Sequence, residues 1–189
     1  MEFLKEVQNG FIQKEIWILT FGAAFQRANI YKPDASSDQK GYYKTMTIGL
    51  IEGLLLDSYK AGKVNDENHI HNINAIIACS ADFSALFEKG KINFGIAQKM
   101  LNLYLKYQWS LGNIPAPPHF PVDRIIQGEL NKAARQAGTT IVELLPWTQF
   151  DNEAHYLKVI NSAREIILNN KSFAKHSLPE LELELFNRR

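Results

Sequence analysis

A single cysteine, Cys79, occurs in 189 residues. One thiol excludes an intrachain disulfide and any zinc or iron–sulfur site built from several cysteines. It lies in the apolar stretch Ile-Ile-Ala-Cys-Ser-Ala, which suits a buried structural thiol. Charge of one sign is equally scarce, since 21 Lys and Arg stand against 20 Asp and Glu for a formal net charge of +1. No global field draws such a chain to nucleic acid or to an anionic membrane, so any nucleic-acid contact must come from a local patch. The longest apolar run, Ile48 to Leu56, is interrupted by Glu52 and is too short to span a bilayer. The first residues, Met-Glu-Phe-Leu-Lys-Glu-Val-Gln, lack the basic segment and apolar core of a signal peptide. A cytoplasmic protein with no membrane partner is the expectation. Glycine-rich phosphate loops, βαβ alternation and hairpin signals are also missing. No Ser/His/Asp, Cys/His or Walker-type arrangement is recognisable, and no cofactor is expected. His69 and His71 are two apart, which on a helix points them to different faces, so no metal site is expected either.

What is present is helical periodicity. Hydrophobic residues make up 46% of the chain and charged residues 22%, an ordinary globular balance. A chain of this length fits one domain, 1–189, that buries roughly two-thirds of its unfolded surface. Apolar groups at Phe3, Leu4, Val7, Phe11, Ile12, Ile16, Leu19 and Ala23 predict a helix over 2–28, with Gly10 and Gly22 weakening it. A loop over 29–40 precedes a second helix over about 40–61, with Tyr43 on its core side and Gly62 as its stop. A third should run from about His69 into Phe87. The segment 93–111 is apolar on nearly every side, which marks the buried central helix of the fold. Asn113 to Pro121 carries four prolines and reads as a rigid extended connector. Asp123 opens an amphipathic helix closed by Gly138, Asp151 caps another, and Ser177-Leu-Pro-Glu180 has capping-box spacing. Leu181, Leu183 and Leu185 alternate, which leaves a short strand as the competing reading there. The chain reads as all-α, a single compact multi-helix domain.

One constellation carries chemistry. Gly95-Ile-Ala-Gln-Lys99 leads into the buried helix, and Pro121-Val122-Asp123 follows the proline loop. Over about 89–130 this resembles the helix-hairpin-helix DNA glycosylase superfamily, including its archaeal 8-oxoguanine branch. Members place a Gly-hydrophobic-Gly turn, a polar residue and a catalytic lysine at a helix start, then a Pro-Val-Asp segment beyond. Ala97 stands here where the second glycine is usual. The resemblance implies a helix-hairpin-helix glycosylase-like fold that binds double-stranded DNA, with Lys99 as nucleophile and Asp123 as the stabilising carboxylate. It further implies that Lys89, Lys91, Gly95 and Gln98 hold the DNA backbone. Free N–H groups at a helix start would bind phosphate, and an extruded base would need aromatic walls. Trp109, His119, Phe120 and Trp147 are the candidates for such a pocket, with Trp17 a further aromatic. The wider stretch from Phe94 to Asp123 is also similar to a group of bacterial proteins, a likeness that implies no activity.

Plainer readings stand beside this one. Asp123 suits a helix cap, Lys99 a lysine at the edge of a buried helix, Gly95 close helix packing, and the aromatics core. Two further functions stay open: a helical protein–protein interaction module, with a homodimer among its forms, and a small-molecule enzyme using His119 near the proline loop.

Overall fold

Polar caps set the limits of most helices in this computed structural model, which describes residues 2–186. Helix α1 (Glu2–Phe25) runs unbroken through Gly10 and Gly22. Both glycines face open space, so neither position demands a bend. Helix α2 (Ser37–Leu50) starts three residues before the expected point because Ser36 and Gln39 form a reciprocal capping box. It continues through one π-type turn, Ile51–Leu55, into the short α3 (Leu56–Lys60). Gly62, at φ +64°, provides the left-handed stop.

Helix α4 (Asp66–Ala81) begins at the Asn65 cap and ends earlier than expected. The chain then turns back so that Phe87 pairs with Tyr31 in an isolated antiparallel bridge. Helix α5 (Phe94–Ser110) is the central element, with twelve of its 17 residues buried. Helices α6 (Arg124–Ala137), α7 (Glu153–Asn169) and α8 (Leu178–Leu185) complete the described residues. Asn152, rather than Asp151, caps α7. The alternating leucines after Ser177 are helical, fixed by a capping box with Glu180 and a proline in the first turn.

The architecture is all-α. Helix α5 is flanked by α1, α4 and α7, while α6, α7 and α8 pack on one another. Trp17 stacks on Tyr104 at 4.3 Å, joining α1 to α5. Lys106 reaches the buried carboxylate of Glu182 at 2.6 Å, joining α5 to α8. Cys79 is half-buried, and burial raises its pKa. No helix among the described residues is long and apolar enough to cross a membrane.

Between α6 and α7 the chain is extended, with only the single 3₁₀ turn Trp147–Gln149. Two amide side chains of α6 hold it. Asn131 donates to Val142 O (2.7 Å) and accepts from Val142 N (2.9 Å). Gln127 does the same for Leu145, at 2.8 and 3.1 Å. Each amide behaves as a piece of neighbouring strand, satisfying backbone groups that a buried loop would otherwise leave unpaired. This segment delivers Trp147 to the start of α5.

Candidate active site at Lys99 and Asp123

Lys99 lies one and a half turns into α5, and Asp123 is the residue immediately before α6. A third amide clasp brings the two helix starts together. Gln98 donates to Val122 O (2.7 Å) and Gly95 O (3.1 Å), and its Oε1 accepts from Val122 N (3.1 Å). Gln98 and Val122 are fully buried, so this clasp fixes the residue just before Asp123.

The carboxylate of Asp123 is divided in its work. Oδ1 accepts from the backbone N–H groups of Ile125 (2.9 Å) and Ile126 (3.1 Å), capping α6. Oδ2 faces Lys99 Nζ at 3.4 Å. The amine also lies 3.4 Å from the centre of the Trp147 ring. Trp147 is itself pinned, its indole N–H donating to Ala24 O of α1 at 3.1 Å. A cation is favoured over an aromatic face and beside a carboxylate, yet the lysine side chain is only 8% exposed. Burial wins, holding the Lys99 amine below its ordinary range, with Arg27 adding repulsion and Asp123 opposing both.

Several expected site residues have other work. Gly95 was expected to turn a hairpin with free N–H groups for phosphate. Its N–H instead donates to Phe150 O at 3.0 Å, and a Cβ there would collide with the carbonyl of Trp147. The next N–H, on Ile96, is taken by the Asn93 side chain at 3.0 Å. The glycine therefore admits the Trp147–Phe150 segment against α5, and the expectation of free donors at these two positions is corrected. Gln98, expected on the DNA backbone, has no exposed surface because its amide is committed to the clasp. Lys89 and Lys91 are exposed and line a shallow cavity of about 340 Å³ together with Asn93, Asp151, Asn152 and Glu153. Its two acidic side chains offset the lysine charges.

The four aromatic and histidine candidates do not form one pocket. Trp147 alone stands over Lys99. Trp109 is ten residues further along α5, about 15 Å at 1.5 Å per residue. Phe120 is packed in the core. His119 is fully buried, its Nδ1 bonded to Tyr156 OH at 2.9 Å and its Nε2 to Asp66 at 3.1 Å. Burial lowers its pKa to about 4 despite Asp66, so it is neutral at pH 7. Trp17 lines a separate groove between α1 and α2, and no proline-loop residue lines any of the three cavities described.

Sequence reasoning missed the polar network around His119. His69 stacks edge-on against it at 4.7 Å and accepts or donates to Tyr59 OH at 2.8 Å. Asn102 donates to Tyr156 OH at 3.0 Å, and Arg164 pairs with Asp66. His69 Nε2 and Asn102 Oδ1 are buried without partners. These groups come from α3, α4, α5, α7 and the proline loop, and nothing local in the sequence signals their meeting. Among the described residues no group of His, Cys, Asp and Glu is placed to hold a metal.

Comparison with protein-family models, with curated proteins and with solved structures finds no match. The geometry above is the basis for a functional reading.

Proposed function

We propose that this chain binds duplex DNA and acts on it as a base-excision glycosylase and lyase, with Lys99 as amine nucleophile and Asp123 as its carboxylate partner. The observation that supports the reading is the convergence of Lys99 Nζ and Asp123 Oδ2 to 3.4 Å from positions 24 residues apart. An amine attacks only when neutral, and burial favours the neutral form. The carboxylate, oriented by two backbone N–H groups, stabilises positive charge that develops on a sugar when its base departs.

On an abasic site the chemistry is a condensation. The neutral amine adds to the sugar aldehyde carbon, water leaves, and the resulting iminium carries the positive charge beside Asp123. Borohydride delivers hydride to that iminium and leaves a stable secondary amine joining protein to DNA. Trapping on an abasic or 8-oxoguanine duplex should give a covalent complex with the wild-type chain and none with Lys99→Ala. Absence of both trapping and duplex binding at low salt would remove the reading. The resemblance of residues 89–130 to helix-hairpin-helix glycosylases supports the same assignment, whereas the committed N–H groups at Gly95 and Ile96 shift backbone binding to Lys89 and Lys91. A second reading, a protein-interaction module, draws on an apolar face of α1.

A further inference from the structure

Just past the end of α1 stands a residue that its backbone does not favour. Arg27 has φ +63°, in the left-handed region where a Cβ crowds the following carbonyl oxygen. Among the described residues the other positions in that region are Asn29, at φ +45°, and the glycines Gly62, Gly90, Gly112 and Gly138. Asparagine tolerates the conformation and glycine adopts it freely, so a long cationic side chain at the remaining position is the exception. That side chain is exposed and forms no ion pair with the described residues, so no charge partner in the fold requires it. Strained backbone of this kind gathers at ligand-binding and active sites.

Arg27 stands beside the Lys99–Asp123 pair. One turn before it, Ala24 O holds the indole of Trp147, whose ring faces the Lys99 amine. Immediately after it, Ala28, Asn29 and Ile30 line a small cavity together with Ile96, Thr148, Lys89 and Lys91. Ile96 lies three residues before Lys99 on α5 and Thr148 follows Trp147, so this cavity adjoins the same site. Its volume of about 90 Å³ has room for one phosphate group and none for a base, and Glu88 is the one acidic residue in its lining. The guanidinium is close enough for its charge to disfavour the charged form of Lys99. A guanidinium offers paired N–H donors that match two phosphate oxygens, and it stays charged at every working pH. We infer that Arg27 binds the DNA phosphate next to the sugar that Lys99 attacks, with Asn29 and Lys91 completing the contact at the cavity. The nature of the ligand rests on the excision reading above, whereas the placement of Arg27 does not.

The test is fluorescence anisotropy of a duplex carrying a tetrahydrofuran abasic analogue, which has no aldehyde and cannot condense with Lys99. Arg27→Gly should bind it about 10-fold or more weakly, and the slope of log K against log salt should become shallower by about 0.9, the value for one lost phosphate contact. Arg27→Lys should keep the slope and recover part of the affinity. The urea midpoint of Arg27→Gly should match the wild type or rise, because glycine accepts the left-handed backbone, and this separates lost binding from lost folding. Equal affinity and equal slope in the wild type and Arg27→Gly would overturn the inference, and trapping at Lys99 would then leave the excision reading standing. Binding that depends on Arg27 without any trapping at Lys99 would remove the excision reading and keep the phosphate contact. A wild-type chain that binds no duplex at low salt overturns both.

Discussion

Gly95 and Trp147 approach so closely that a single added carbon at Gly95 would strike the Trp147 carbonyl, and this contact sets where the indole stands over Lys99. The approach is secured from both ends. Gly95 N–H holds Phe150 O, and Asn93 Nδ2 holds Thr148 O at 2.8 Å.

Gly95→Ala should therefore destabilise the fold by about 1–3 kcal/mol, the usual range for forcing extra carbon into a packed site, and should displace Trp147. Urea denaturation gives the first quantity. Reduced quenching or a shifted emission maximum of Trp147, in a background lacking Trp17 and Trp109, gives the second. An unchanged midpoint with unchanged emission would contradict the packing described.

Gln98→Leu keeps the volume but removes the clasp on Val122. The buried N–H and C=O of Val122 then lose their partners, a loss of about 2–4 kcal/mol for two unsatisfied groups. Because Val122 precedes Asp123, the same change should loosen the carboxylate. Chemical denaturation measures the stability, and hydrogen exchange at Ile125 and Ile126 N–H reports the cap.

The histidine network predicts an acid-side loss of stability. His119 has a folded pKa of about 4 against an ordinary value near 6.5, so the unfolded chain binds its proton first. The contribution is fully present above pH 6.5 and is lost as pH falls from there toward 4, reaching about 3 kcal/mol. His69, lowered in the same direction by burial and by His119, adds to the loss. The urea midpoint should fall more steeply between pH 6.5 and 4.5 in the wild type than in His119→Gln, and equal slopes would contradict the account.

How much of this was legible in the sequence depends on how local each signal is. The unbroken apolar character of 93–111 revealed α5 as the central helix, and an aspartate before an amphipathic stretch revealed the α6 cap. The capping box at Ser177 is legible for the same reason, because donor and acceptor lie three residues apart, whereas the one at Ser36 has the same spacing but sits in the stretch expected as loop. Gln127 and Asn131 looked like ordinary polar residues and Gln98 like a contact to the DNA backbone, since the partners of Gln98, Gln127 and Asn131 lie 24, 18 and 11 residues away. Gly95 needed to be glycine because of residues 147–150, which its neighbours do not announce. The apolar spacing of Phe3, Val7 and Phe11 shows an amphipathic helix but does not say whether anything covers it.

Asp123→Asn separates the two roles of that side chain. The amide oxygen retains acceptance from Ile125 and Ile126, so the cap is kept to within roughly 1 kcal/mol. Removing the charge withdraws the attraction that opposes burial, so the Lys99 amine should titrate lower still. Carbon-13 methyl NMR of reductively methylated protein reads this directly. Trapping by Asp123→Asn should nonetheless be slower, because the iminium has lost its counter-charge.

The central claim concerns one amine, and mass spectrometry of the borohydride-trapped complex addresses it most directly. After digestion of protein and DNA, the account predicts a reduced sugar adduct on the peptide that contains Lys99, and none in Lys99→Ala. An adduct on Lys89, Lys91 or another lysine of the wild type, or no adduct on any peptide, would contradict it.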